Sequence, residues 1–199
     1  MHIVNSPTSR AASAERDSLK VVYLGISGVL HPSRSLYELL HGKVPEDDGH
    51  FLYEATPVLE RALAPWPEAR IVLTSTQPWA NGLSTVLREL GPSLAARVTG
   101  FTYEDLTTKL RRGRRQLPLS NEDYWRCVKS DIVRLHVEWL QPGAWVAIDD
   151  ETILWTDFER AQHFVAVDGD KGLLDPAAQD RLVTVLSGNF GPIALAEQP

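Results

Sequence analysis

The chain has 199 residues, of which 43% are hydrophobic and 23% are charged, and this length is sufficient to bury the core of one α/β domain. No apolar run approaches the roughly 18 residues that a membrane span requires, so the composition predicts a soluble protein. The formal net charge of −6 disfavours general nucleic-acid binding, and the single cysteine, Cys127, excludes an internal disulfide.

The chain begins with a polar segment. Residues 1–18 lack the apolar centre of a secretory signal and are predicted to form a flexible arm. Without such a signal, we expect a cytoplasmic protein. Residues 19–199 contain no linker rich in proline, glycine or serine, so we expect them to form a single domain.

Short apolar runs alternate with stretches of helical spacing along this domain. The apolar runs are predicted to be buried parallel strands, at residues 21–24, 70–73, 96–101, 145–148 and 164–167. Helices are predicted at residues 57–64, 79–90, 124–140 and 176–186. Thr56 and Asp175, each followed by proline, are predicted N-caps, and residues 102–123 are predicted to be an irregular insertion. The alternation predicts an α/β three-layer sandwich with a mainly parallel, Rossmann-like sheet.

Polar residues and glycines follow three of these strands. In an open parallel sheet, ligands bind at the carboxyl ends of the strands. The residues expected at those ends are Gly25, Ser27, Thr74, Ser75, Asp149 and Asp150. We therefore expect them to surround one site, together with Lys129 from a neighbouring helix.

The sequence around these positions resembles, in chain order, the four motifs of the haloacid-dehalogenase-like (HAD) phosphohydrolases. The segments are LKVVYLGISGVLHP at 19–32, RIVLTS at 70–75, RCVKSDI at 126–132 and WVAIDDE at 145–151. The resemblance spans about residues 20–186 and is greatest to the small HAD domains associated with RNA-repair proteins. It implies an HAD-like domain with a minimal cap or none.

The first motif departs from the family pattern. There, two aspartates supply the nucleophile and the acid/base, whereas this chain has Gly25 and Ser27 at those positions. Glycine has no side chain, and a serine hydroxyl titrates far above neutral pH. The resemblance therefore implies that HAD-type phosphoryl transfer is lost.

The other three motifs are matched. By resemblance, Thr74, or Ser75 if the register is shifted by one residue, would hydrogen-bond phosphoryl oxygens, and Lys129 would stabilise their negative charge. Asp149 and Asp150 would hold Mg²⁺ weakly or not at all, because one direct carboxylate ligand is missing.

The main chain offers further donors. Gly25 and Gly28 would expose backbone N–H groups that can cradle an anion. Trp79, just after the second motif, is a candidate wall of the pocket or a packing aromatic, and Trp125 is predicted to lie in the core.

Two further interpretations stay open. Ser27 and His31 lie four residues apart and could form a relocated Ser/His pair, although no GxSxG elbow surrounds them. The basic segment 109–115, which includes Arg111 and Arg112, is either a solvated loop or a clamp for a polyanion such as RNA or a phosphorylated protein.

Together these observations predict a catalytically degenerate HAD-like domain that binds a phosphorylated or anionic ligand, or a protein partner. One alternative is an active Mg²⁺-dependent phosphohydrolase acting on a phosphate ester such as a nucleic-acid end. The other is a purely structural interaction module. No membrane interaction is expected.

Overall fold

Five strands form one parallel sheet in the computed structural model of the chain, which describes residues 18–33, 49–108 and 118–192. In chain order the strands are β1 (Lys20–Leu24), β2 (Arg70–Leu73), β3 (Val98–Phe101), β4 (Ala144–Asp149) and β5 (Phe164–Ala166). Their order across the sheet is β3-β2-β1-β4-β5, and every neighbouring pair is parallel. The five predicted strands and the parallel sheet are confirmed.

The register of β1 determines where the site lies. Leu24, the last residue of β1, pairs with Leu73 of β2 and with Ile148 of β4. Because these three strands run in the same direction and end at the same level, the residues that follow them meet at one edge of the sheet. The strand order also reverses between β1 and β4, where open α/β sheets bind their ligands.

Helices cover both faces of the sheet. They are α1 (Thr56–Leu63), α2 (Gln77–Asn81), α3 (Leu83–Ala95), α4 (Thr102–Thr108), α5 (Asn121–Arg126), α6 (Lys129–Leu140), α7 (Asp157–Gln162) and α8 (Pro176–Phe190). Alternate residues of β1 enter two separate apolar clusters. Leu24 packs with residues of α1, α3 and α8, whereas Tyr23 packs with Val133 of α6. The three-layer α/β sandwich is therefore confirmed.

Two predicted helices are each divided. The predicted helix over residues 124–140 is split into α5 and α6, because the backbone of Cys127 and Val128 is extended. The predicted helix over residues 79–90 is split into α2 and α3 at Gly82, whose φ of +82° lies in the left-handed region. As a result, Lys129 is the first residue of α6.

Helix α4 lies within the segment that was predicted to be irregular. Its buried face carries the polar residues Thr102 and Asp105, which hide its helical pattern from the sequence. Thr102 Oγ1 lies 2.8 Å from the hydroxyl of Tyr124, and Asp105 Oδ2 lies 3.1 Å from His136 Nε2. These partners come from α5 and α6, so a tertiary contact satisfies the buried polar groups of α4.

One of the two predicted N-caps is confirmed. Asp175 precedes α8 and accepts a hydrogen bond from the N–H of Ala177. Thr56 is instead the first residue of α1, and its buried Oγ1 has no hydrogen-bond partner among the described residues. The prediction for Thr56 is therefore wrong by one position.

Several predictions fall outside the described residues. They are the N-terminal arm apart from Ser18 and the basic segment with Arg111 and Arg112.

Among the helices that the structure describes, none is long and apolar enough to cross a membrane.

Candidate functional site

A cleft of about 250 Å³ opens at the carboxyl edge of the sheet, where β1, β2 and β4 end. Its wall is formed by Gly25, Ile26, Ser27, Ser33, Ser75, Thr76, Gln77, Lys129, Asp149, Asp150 and Glu151. The structure therefore brings together residues from all four of the motif-like segments.

The other sequence-predicted residues lie around this cleft. Thr74 lines an adjoining hollow of about 170 Å³, and Gly28 lies against the side chain of Asp150. Trp79 is exposed and is not among the residues that line the cleft. Trp125, which was predicted to be in the core, is also exposed, because the short helix α5 buries only Tyr124.

Gly25 follows β1 directly and has no reactive side chain. Its N–H donates to the carbonyl oxygen of Ile148 at 2.9 Å. A Cβ built on Gly25 would lie 2.6 Å from Asp149 Oδ2 and 3.0 Å from Val29 Cγ2, and the first distance is shorter than ordinary contacts allow. Any side chain at this position would therefore require the Asp149 carboxyl to move.

Asp149 ends β4 in a buried position. Its Oδ2 accepts a hydrogen bond from Thr74 Oγ1 at 3.3 Å, and its Oδ1 accepts one from the N–H of Glu151 at 3.0 Å. Burial raises the pKa of the Asp149 carboxyl to about 6, although the positive charge of Lys129 and the Glu151 N–H act in the opposite direction. The carboxyl is thus held in place by two donors in a site that disfavours its charge.

Asp150 occupies space that two glycines leave open. Its Oδ2 accepts a hydrogen bond from Ser33 Oγ at 2.9 Å. A Cβ at Gly28 would lie 2.2 Å from this Oδ2, and a Cβ at Gly169 would lie 2.8 Å from it. Gly28 also has a φ of +74°, which favours glycine. The turn after β1 is therefore shaped to admit the Asp150 side chain.

Lys129 connects the ends of β2 and β4. Its ammonium group donates to the main-chain carbonyl oxygen of Thr74, and its own N–H donates to Glu151 Oε1 at 2.8 Å. Lys129 lines both the cleft and the adjoining hollow. The positive charge is therefore positioned at the boundary between the two spaces, and Glu151 helps to fix the start of α6.

Gln77 is a cleft residue that the sequence analysis missed. Its Nε2 donates to Ser27 Oγ at 3.0 Å, and its Oε1 accepts from the hydroxyl of Tyr53 at 2.7 Å. The contacts come from segments about 50 and 24 residues away in the chain, so no local spacing indicated them. The Ser27 hydroxyl, which stands at the family's acid/base position, is thus hydrogen-bonded to a neutral amide and not to a titratable group.

In the described part of the chain, Ser27 and His31 do not form the relocated Ser/His pair. Ser27 Oγ is bonded to Gln77, whereas His31 Nδ1 accepts from the main-chain N–H of Tyr53 at 3.3 Å. Burial lowers the pKa of the His31 imidazole to about 4. Burial also raises the pKa of the Cys127 thiol, whose Sγ donates to the carbonyl oxygen of Asp123. Neither His31 nor Cys127 therefore has the environment of an activated catalytic group.

The described residues are poorly suited to bind the Mg²⁺ ion that the resemblance to HAD phosphohydrolases implies. Asp149 and Asp150 supply carboxylates, which are the ligands that Mg²⁺ prefers. Both carboxylates, however, already accept hydrogen bonds from side-chain hydroxyls of Thr74 and Ser33. Within the ranges that the structure describes, no group of three or more His, Cys, Asp or Glu residues is arranged to hold a metal ion.

The prediction that Gly25 and Gly28 offer their N–H groups to an anion is wrong, because these groups donate to the carbonyl oxygens of Ile148 and His31. Other donors for an anion are present. Ile26 lines the cleft although its side chain lies in the core, so it contributes its main chain. In the part of the chain that the structure describes, the N–H groups of Ile26 and Ser27 have no main-chain acceptor. Together with the Ser75 hydroxyl and the Lys129 ammonium group, they give the cleft main-chain, hydroxyl and cationic donors, the combination that protein anion sites use.

Comparison with known proteins gives one match. A family model described as "HAD domain in Swiss Army Knife RNA repair proteins" matches residues 21–178, which contain the whole cleft. No curated protein and no solved structure matches the chain.

Proposed function

The chain belongs to the family of HAD domains in Swiss Army Knife RNA repair proteins, and from this premise we propose that it binds a phosphate-bearing ligand without hydrolysing it. On this proposal the domain is a pseudoenzyme. It keeps the scaffold and some of the groups that would bind a phosphate, but it lacks the side chain that would attack phosphorus. The description of the family favours a phosphorylated RNA end as the ligand.

The observation that carries this proposal is the position of Asp149 Oδ2 where a side chain on Gly25 would begin. Covalent phosphoryl transfer needs an anionic oxygen on the side chain at position 25, and the space for that side chain is occupied by Asp149 Oδ2, 2.6 Å from where its Cβ would lie. The acid/base position is equally unsuited, because the Ser27 hydroxyl is bonded to the neutral amide of Gln77. Loss of a nucleophile alone costs about 10⁴ to 10⁶ in turnover.

Binding is supported by the remaining donors. Lys129, Ser75, Ile26 and Ser27, which carry these donors, line the same cleft. None of these groups depends on the two missing aspartates. A phosphate group would thus keep charged and neutral donors even though the reaction is lost.

We propose further that the site binds Mg²⁺ weakly or not at all. Asp149 and Asp150 are the residues that would hold the ion, and hydroxyl donors already occupy one oxygen of each. Thermal unfolding of the protein at increasing MgCl₂ concentrations tests this. We expect no rise in Tm at millimolar Mg²⁺. We also propose a cytoplasmic location, which cell fractionation would test.

The central experiment measures binding and turnover separately. Binding of inorganic phosphate is followed by calorimetry in the unmodified chain, in Lys129→Ala and in Lys20→Ala. Lys20 is the matched control, because it is a lysine at the opposite edge of the sheet, where it pairs with Glu68. We expect phosphate binding that Lys129→Ala weakens about tenfold and that Lys20→Ala leaves unchanged.

Turnover is measured with p-nitrophenyl phosphate and Mg²⁺, and we expect none above buffer. Hydrolysis that Mg²⁺ stimulates and Asp149→Ala abolishes would establish the active phosphohydrolase and overturn the proposal. Absence of both binding and turnover would instead point to the structural interaction module.

A further inference from the structure

An exposed aromatic surface lies beside the cleft. Trp79 of α2 is 57% exposed and Trp125 of α5 is 44% exposed, and their ring centroids lie 5.3 Å apart. The ring of Tyr103 from α4 lies 6.0 Å from Trp79 and 5.4 Å from Trp125. The two indole planes meet at 67°, an edge-to-face arrangement. We call Trp79, Tyr103 and Trp125 the aromatic surface.

This surface is held in place from below. Tyr124 is buried, and its ring makes perpendicular contacts with Tyr103 at 5.1 Å and with Trp125 at 5.5 Å. The hydroxyl of Tyr124 lies at hydrogen-bond distance, 2.8 Å, from Thr102 Oγ1. A rigid aromatic surface loses little conformational entropy when a flat ligand stacks on it.

The aromatic surface is continuous with the cleft. The adjoining hollow of about 170 Å³ is lined by Trp125, Tyr124 and Lys129, among other residues. Lys129, Thr76 and Glu151 line the cleft as well. A ligand with its phosphate in the cleft and a base against Trp125 would therefore span two adjoining spaces.

The charge of the adjacent chain favours a polyanion. Residues 109–117, which join α4 to α5, contain five of the 20 lysines and arginines of the chain. They lie outside the described residues. In the sequence they stand between the helix that carries Tyr103 and the helix that carries Trp125.

We propose that the aromatic surface stacks the bases of a single-stranded RNA whose terminal phosphate binds in the cleft. This inference rests on the proposed phosphate-binding function and names its substrate class. Stacking on exposed aromatic rings is the usual means of binding unpaired bases, and it tolerates any sequence because every base has a π-face. The phosphate provides the anchor at Lys129, and the rings provide the selectivity for RNA over free phosphate.

The test uses the full chain and a hexamer of adenosine with a 5′-phosphate and a 3′-fluorescein, with fluorescence anisotropy as the readout. We expect Trp79→Ala and Trp125→Ala each to weaken RNA binding about 5- to 100-fold. Trp125→Phe should recover most of the affinity, because a phenyl ring still stacks. The matched control is Phe158→Ala, since Phe158 of α7 is an aromatic residue that is 68% exposed and contacts His163 instead of the aromatic surface.

Inorganic phosphate separates this inference from the function on which it rests. If phosphate binds and the tryptophan variants leave RNA affinity unchanged, the stacking inference is wrong while the proposed function survives. If neither phosphate nor RNA binds, the proposed function fails. If RNA lacking a terminal phosphate binds as tightly as the phosphorylated hexamer, the link between the surface and the cleft is overturned.

A second measurement does not depend on variants that might unfold. In the unmodified chain, acrylamide quenches the fluorescence of exposed tryptophans, and stacked bases should shield Trp79 and Trp125 from it. We expect the saturating hexamer to reduce the quenching constant, whereas saturating inorganic phosphate leaves it unchanged. An equal quenching constant with and without bound hexamer would overturn the inference.

Discussion

Asp149 Oδ2 lies where a side chain at Gly25 would have to be, 2.6 Å from the position of a Cβ on that glycine. The two positions are therefore linked: the strand end that lacks a carboxylate is occupied by the carboxylate of the neighbouring strand. Thr74 and the N–H of Glu151 hold that carboxylate there by hydrogen bonds.

Gly25→Ala should destabilise the fold by about 1–3 kcal/mol, because the added methyl group must displace Asp149 or Val29. In an Asp149→Ala background the same substitution should cost at least about 1 kcal/mol less, since the closest atom is gone. Urea unfolding of the four proteins in this double-mutant cycle measures both quantities. Gly188→Ala is the control: nothing lies within 4 Å of its added Cβ in α8, so it should stabilise by up to about 1 kcal/mol. Equal costs in the two backgrounds would contradict the steric link.

Gly25→Asp combined with Ser27→Asp should create a Mg²⁺ site. Without a divalent ion, the double variant should unfold at a lower temperature, because a new carboxylate is forced against Asp149. With Mg²⁺ well above its Kd, we expect Tm to rise by at least about 4 °C, whereas the unmodified chain should show no rise.

Thermal unfolding with EDTA or MgCl₂ measures this effect, and adding Asp149→Ala to the double variant should remove it. A Tm that Mg²⁺ leaves unchanged in the double variant would show that more than the first motif is altered. Hydrolysis of p-nitrophenyl phosphate by the double variant would show in addition that the rest of the site supports catalysis.

The sequence predicted the fold, and the gathering of the motif-like residues at one edge of the sheet, because both depend on local patterns. Buried apolar runs such as residues 21–24 identify strands, and parallel strands place the residues after them at one edge. Gln77 and the exposure of Trp125 were not predictable in this way. Gln77 is defined by bonds to Ser27 and Tyr53, and Trp125 by the short length of α5, which exists because the chain extends at Cys127. The contacts of Gln77 join distant segments, whereas the exposure of Trp125 depends on a local break that the helical spacing of residues 124–140 does not reveal.

His136→Leu should destabilise the fold by about 2–4 kcal/mol, because it leaves two buried polar partners without a hydrogen bond that they now make. The imidazole is fully buried, with Nδ1 3.0 Å from the hydroxyl of Tyr23 and Nε2 3.1 Å from Asp105 Oδ2. Urea unfolding at pH 7 measures the loss. In a Tyr23→Phe background the same substitution should cost about 1 kcal/mol less, since the Tyr23 hydroxyl is no longer there to lose its hydrogen bond. A cost below about 1 kcal/mol would mean that His136 acts as packing alone.

His31 should make the fold less stable as the pH falls from 7 to 4.5. Burial lowers the pKa of the folded imidazole to about 4, against an ordinary value of 6.5, so the unfolded chain binds a proton in this range and the folded chain does not. The stability contributed by neutral His31 is therefore fully present above about pH 6.5 and is lost as the pH falls toward 4. Between pH 7 and 4.5 this loss amounts to about 2 kcal/mol.

In the control variant His31→Asn, the side-chain oxygen can still accept the Tyr53 N–H but does not titrate. The stability advantage of the unmodified chain over this variant should therefore shrink by that amount as the pH falls from 7 to 4.5. Urea unfolding of both proteins at several pH values measures the difference, and a difference that stays constant with pH would show that His31 is protonated in the folded chain as readily as in water.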